Sequence, residues 1–159
     1  PDGFSIIPLP GHALDMVGFR TPEGTVYLAD CLSSRETLDK YGIVFLYDVA
    51  AYLETLSMVK GLSANLFVPA HAPASEDIGD LAQYNIDKVL EIGERIVDLC
   101  GEPLCFEQIL GRLFSLYGLT MNFEQYVLVG STVRSYLAWL KDEGRIRAEF
   151  SDNMLLWRR

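Results

Sequence analysis

The apolar positions of the chain change period about halfway along. In the first half they come in short extended runs. Phe4-Ser-Ile-Ile-Pro-Leu9 is one such run, closed by the turn dipeptide Pro10-Gly11, and Asp15 to Arg20 and Thr25 to Asp30 are two further strand candidates. Thr21-Pro-Glu-Gly24 lies between the last two, with proline second and glycine fourth, the composition of a hairpin turn. On the third strand Val26, Leu28 and Asp30 share one face, and Tyr27 and Ala29 share the other. Ser33 with Glu36 has the spacing of a capping box and predicts a short helix to about Lys40. Asp48 is placed to cap a second helix, whose Val49, Tyr52, Leu53, Leu56 and Val59 recur at helical spacing ahead of Gly61. Leu66 to Pro69 is a brief buried strand that leads into Ala70-His71-Ala72.

Residues 72–80 are small, acidic and turn-rich, and a domain boundary is expected there, dividing the chain into 1–78 and 79–159. Beyond it the period becomes helical. Ile86, Val89, Leu90, Gly93, Ile96, Val97 and Cys100 form one stripe, ended by Gly101 and Pro103. Phe106, Ile109, Leu110, Leu113 and Tyr117 form a second, ended by Gly118. Asn122 with Gln125 offers a cap for a third helix, with Tyr126, Val129, Gly130, Val133, Tyr136, Leu137 and Leu140 on one side and Gly144 at its end. Gly130-Ser131 leaves open a break into two pieces, Ser131 capping the second. The tail alternates again: Ile146, Ala148 and Phe150 on one side, a turn at Ser151-Asp-Asn, then Met154–Trp157, which predicts a β-hairpin. Three helices followed by a hairpin is a winged-helix-like layout. The fold class expected is α/β (α+β).

Half of the 159 residues are hydrophobic and 22% are charged, so the chain can bury a core. Its longest apolar run, Ile43 to Tyr47, is far short of the roughly 20 residues of a membrane span. The net charge of −9 argues against a general affinity for nucleic acid. The third helix of the second half offers only Arg134 and Lys141 as basic groups, too few for a typical recognition helix. Residues 134–159 carry six basic and four acidic side chains, or +2, against −11 for the remainder. The three cysteines, Cys31, Cys100 and Cys105, are odd in number and irregularly spaced, and read as reduced thiols of a cytoplasmic protein, packed as small hydrophobes. Cys100 and Cys105 have no second pair or nearby histidine to complete a metal site. The opening at Pro1, already close to a strand, reads as an excision from something longer.

The two histidines, His12 and His71, each follow the end of a predicted strand, and Asp30 ends the strand between them. Strand ends gather side chains that are distant in sequence onto one rim of a sheet. Imidazole and carboxylate together suit zinc or a related divalent ion. Asp15, three residues past His12, is a candidate to accept a hydrogen bond from a ligating imidazole. Cys31 is expected to point away from Asp30 and pack, and Tyr47 and Asp48 to serve as core residue and helix cap.

Taken in order, Leu9-Pro-Gly-His12, Val17-Gly-Phe, Val26-Tyr-Leu-Ala-Asp30 and Pro69-Ala-His71-Ala72 resemble the second half of the metallo-β-lactamase superfamily. The resemblance covers about residues 4–78. It implies that 1–78 is the C-terminal half of an αββα sandwich and that the helical remainder shapes one side of the active-site cleft. It further implies that His12 helps hold a first metal, Asp30 bridges a pair of metals and His71 holds the second. A shared anion offsets the repulsion between two dications, and zinc or another divalent pair acidifies a bound water into a nucleophile. The reaction implied is hydrolysis of an ester, thioester, lactam or phosphoester in a small-molecule substrate.

The departures are specific. The family's H-x-H-x-D-H segment, which supplies most ligands of the first metal, has no counterpart, because no histidine precedes His12. Ala13 and Ala72 stand where the family has Thr or Ser and Gly. The expectation is therefore a fragment that alone binds metal weakly or not at all and does not hydrolyse. Half a sandwich also leaves one sheet face bare. Several hundred Å² of wet apolar surface costs on the order of 10 kcal/mol, comparable to a whole domain's stability. Self-association as a homodimer, or pairing with the missing N-terminal half, is expected to cover it. The contrasting reading is a non-catalytic protein-interaction module in which both histidines are incidental.

Overall fold

The computed structural model describes residues 2–159, a mixed α/β chain with five helices and two sheets. It divides into two compact units, Pro1–Tyr41 with Leu46–Val89, and Gly42–Phe45 with Leu90–Arg159. By packing, the first unit extends to Val89, within the helix Gly79–Leu99.

The first unit carries four strands, β1 (Ser5–Pro8), β2 (Val17–Arg20), β3 (Thr25–Ser33) and β4 (Leu66–His71), in the spatial order β1-β2-β3-β4. The first two pairings are antiparallel and β3–β4 is parallel. The turn predicted at Thr21–Gly24 closes with Gly24 N donating to Thr21 O. Two helices, α1 (Arg35–Tyr41) and α2 (Val49–Lys60), form the β3–β4 crossover, as a parallel pair requires. Asp48 caps α2 by accepting from Ala51 N. The cap of α1 lies one residue later than predicted: Ser34 Oγ accepts from Thr37 N. Ser33 instead ends β3, where it is buried.

One sheet face is the core. Leu9, Val26, Leu28, Phe67 and, from α2, Tyr52, Leu56 and Val59 are all sealed from solvent. The alternation along β3 holds from Val26 to Leu28 and then breaks. Ala29 sits in the left-handed region (φ 48°) at a register shift, so the strand continues past Asp30 with Cys31, Leu32 and Ser33 all buried. Cys31 packs inward as expected, and burial pushes its thiol up to about 12.

Helix α3 (Gly79–Leu99) starts seven residues before the predicted stripe. Its buried line in the first unit is Ala82, Asn85 and Val89, and Leu90 is exposed. A polar residue within the buried line is what obscured the pattern. Asn85 makes good its burial by accepting from Ser33 N and donating to Ser33 O and Leu81 O.

The second unit holds α4 (Phe106–Leu116), α5 (Phe123–Asp142) and the hairpin β5 (Arg147–Ser151) with β6 (Met154–Arg158). Asn122 caps α5 by accepting from Gln125 N. The helix runs unbroken through Gly130, where a Cβ would meet the Phe106 ring at an ordinary contact distance of 3.5 Å, so this glycine marks no break. Asp152 and Asn153, both at positive φ, make the two-residue turn between β5 and β6. Phe150 is largely exposed on that hairpin. Among the described residues no helix is long and apolar enough to cross a membrane.

Candidate metal centre

His12, Asp30 and His71 lie 59 residues apart at their extremes, and the sheet brings them to one rim. His71 is the last residue of β4. Its carbonyl accepts from Ser34 N, which fixes it against the end of β3. Asp30 lies in β3 directly after the bulge at Ala29, and that local twist sets its carboxylate at the rim. His12 follows the loop that leaves β1.

That loop is held by α2 and its approach. Gly11 O accepts from both Tyr47 N and Asp48 N, and Thr55 Oγ1 donates to Pro10 O at 2.7 Å. A Cβ on Gly11 would stand 2.3 Å from the Tyr52 backbone, so only glycine admits this close approach, and its φ of +121° excludes a side chain as well. The glycine ahead of His12 is thus a packing requirement of the helix that faces it, and Pro10 contributes its carbonyl oxygen. Thr55, buried within α2, is a supporting residue that the sequence reading did not single out; its apolar neighbours at helical spacing concealed it. Tyr47, expected in the core, is exposed instead, and its backbone N–H donates to Gly11 O.

The three side chains meet. His71 Nε2 is 3.0 Å from Asp30 Oδ1, and His12 Nε2 is 3.9 Å from Asp30 Oδ2. Each carboxylate oxygen therefore faces a different imidazole. All three side chains are partly open to solvent, His71 the most. Asp15 is exposed in the turn between β1 and β2; the carboxylate between the imidazoles is Asp30's.

Two ligand atoms on one tetrahedral zinc stand roughly 3.3 Å apart when the bonds are about 2.0 Å. The two observed spacings bracket that value, and the donor set suits a borderline divalent ion. Among the described residues no three His, Cys, Asp or Glu side chains are grouped so as to hold an ion by themselves. These three donors fall short of a closed metal shell. A separate hollow of about 440 Å³ in the second unit, lined by Phe106, Arg134, Leu137, Met154 and Trp157 among others, contains no histidine or aspartate.

No protein-family model and no curated protein sequence matches the chain. Solved structures do. A metallo-β-lactamase family protein from Thermus thermophilus aligns with 98% of this chain at 17% identity and a TM-score of 0.73. A β-lactamase domain protein from Burkholderia ambifaria aligns with 98% at 15% identity and a TM-score of 0.72. The chain carries the metallo-β-lactamase superfamily fold. It spans about half the length of these structures, 49% of the first and 48% of the second. At these identities the likeness is one of architecture alone.

Proposed function

We propose that His12, Asp30 and His71 are the share of a divalent-metal centre that this chain contributes to a hydrolase. The observation that carries this reading is the position of Asp30, whose two oxygens each face a separate imidazole. A carboxylate so placed serves as the anion between two cations, with His12 on one side and His71 on the other. A bound divalent ion, zinc for instance, polarises a carbonyl or phosphoryl oxygen and makes water a nucleophile near neutral pH. The substrate class is an ester, thioester, lactam or phosphoester.

The residues of this chain hold and orient. Thr55 and the two backbone donors on Gly11 keep the His12 loop in place. The bulge at Ala29 aims Asp30, and Ser34 anchors His71. Asp15 is the candidate acceptor for the remaining imidazole N–H of His12. With only these donors, the chain alone binds zinc weakly and does not turn over substrate. The three unbridged cysteines, two of them buried, suit a reducing compartment such as the cytoplasm. The helices and hairpin of the second unit are read as winged-helix-like.

Two histidines make the test clean. Titration of the chain with zinc alone, followed by NMR of the imidazole protons, is expected to shift His12 and His71 together, with saturation well above micromolar zinc. Asp30→Asn is expected to uncouple the two responses. Imidazole signals that ignore millimolar zinc, or a response untouched by Asp30→Asn, would overturn the reading.

A further inference from the structure

Past the bulge at Ala29, β3 runs on alone at one edge. Its register with β2 covers only Val26 and Tyr27, so among the described residues no strand pairs with Ser33 on that side. Asn85 of α3 takes the strand's place. A primary amide offers a donor and an acceptor side by side, as a peptide group does. Asn85 Oδ1 accepts from Ser33 N at 3.0 Å, and Nδ2 donates to Ser33 O at 2.9 Å. A further bond from Nδ2 to Leu81 O holds the amide itself. The side chain is buried, so water does not compete for these groups.

From Ser33 the restraint reaches the rim within one residue. Ser33 stands in register with His71, and Ser34 N donates to His71 O at 2.8 Å. Asp30 lies three residues back on the same strand, ahead of the buried Cys31, Leu32 and Ser33. The 3.0 Å spacing between His71 Nε2 and Asp30 Oδ1 is thus spanned by a short stretch of β3 whose far end Asn85 grips. On the outer side the same helix clasps α1. Tyr84 Oη donates to Asp39 Oδ1 at 2.6 Å, Lys88 Nζ lies 3.2 Å from the same oxygen, and the Arg35 guanidinium covers the Tyr84 ring at 4.2 Å. That clasp joins α1 to α3 without Asn85. The His12 loop hangs on α2 by a separate set of bonds, from Thr55 Oγ1 to Pro10 O and from the Tyr47 and Asp48 amides to Gly11 O.

We infer that Asn85 is the positioning residue for His71, as Thr55 is for His12, and that the two imidazoles of the rim rest on independent supports. The consequence for a metal rests on the function proposed above; the placement of His71 does not.

In the metal-free chain, Asn85→Ala is expected to speed hydrogen exchange of the Ser34 amide about tenfold relative to the Tyr47 and Asp48 amides, and Thr55→Ala to do the reverse. Zinc titration followed on the imidazole protons gives a half-shift concentration for each histidine. The ratio of the His71 value to the His12 value is expected to rise about tenfold in Asn85→Ala and to fall in Thr55→Ala. Val89→Ala, a buried apolar loss one turn further along α3, is expected to leave that ratio as in the wild type, because a general loss of stability moves both histidines alike. Circular dichroism melts check that each variant folds. Asn85→Ser, which keeps a polar group at the site, is the milder substitution and is expected to show the same pattern at a smaller size. An Asn85→Ala chain whose Ser34 amide exchanges no faster relative to Tyr47 and Asp48, or whose two imidazoles weaken by one common factor, overturns the inference. Wild-type imidazoles that ignore zinc, with the exchange pattern intact, overturn the metal reading and leave Asn85 as the support of His71.

Discussion

Ala29 is the residue on which the rim turns. Its φ of 48° costs an L-residue roughly 1–2 kcal/mol, and the bulge it creates sets Asp30 toward the imidazoles while Cys31 packs inward. Ala29→Gly removes the Cβ clash but adds freedom to the unfolded chain, so a net gain of about 0.5 kcal/mol in urea-unfolding stability is expected. Ala29→Val, with a branched Cβ in the same conformation, is expected to lose about 2 kcal/mol or more. A gain from valine over glycine would mean that the backbone there is ordinary strand. The Val26–Leu28 alternation made the strand legible in the sequence, and Ala-Asp at its predicted end marked Asp30. The left-handed turn itself was not legible, since alanine gives no local signal for positive φ.

At the scale of elements, what the sequence revealed and what it concealed follow from one cause. Helices with an unmixed apolar stripe or a polar cap were readable: Asp48 before α2, Asn122 before α5, and the turn at Asp152-Asn153. Elements tied together by polar groups were not. The start of α3 was missed because Asn85 occupies a buried position that periodicity assigns to an apolar side chain. Yet Asn85, 1% exposed, clamps both backbone groups of Ser33, three residues beyond Asp30. Asn85→Ala leaves a buried N–H and a buried C=O without that partner, and each such loss costs about 1–3 kcal/mol. A drop of roughly 3 kcal/mol in unfolding free energy is expected, with the exchange of the Ser33 amide raised in proportion. A change below about 1 kcal/mol would show that water replaces the clamp without loss. The one-residue error at α1 has a related origin. Two adjacent serines offer the same hydroxyl, and the backbone of Ser33 is already committed to β3 and Asn85, so Ser34 becomes the cap.

For the molecule as a whole, charge and apolar surface act in opposite directions. Each chain carries −9, so two copies repel on the whole, while the ladder through Ile6, Phe19, Tyr27 and Val68 carries no charge of its own. Salt separates the two contributions. Screening shortens the reach of the repulsion from about 10 Å at 0.1 M to about 3 Å at 1 M and leaves apolar burial nearly unchanged. Any self-association through the ladder is therefore expected to tighten about fivefold between roughly 0.05 and 0.5 M sodium chloride, read as the sedimentation dissociation constant. An interface held by ion pairs would respond in the opposite sense, because the same screening would weaken its attraction. The candidates for such pairing are the basic groups of residues 134–159, where the chain's positive charge collects against the acidic remainder. Weakening with salt would thus move the contact away from the sheet and onto that charged segment. Tightening with salt, lost in Phe19→Lys, would place it on the uncharged sheet face that carries Phe19.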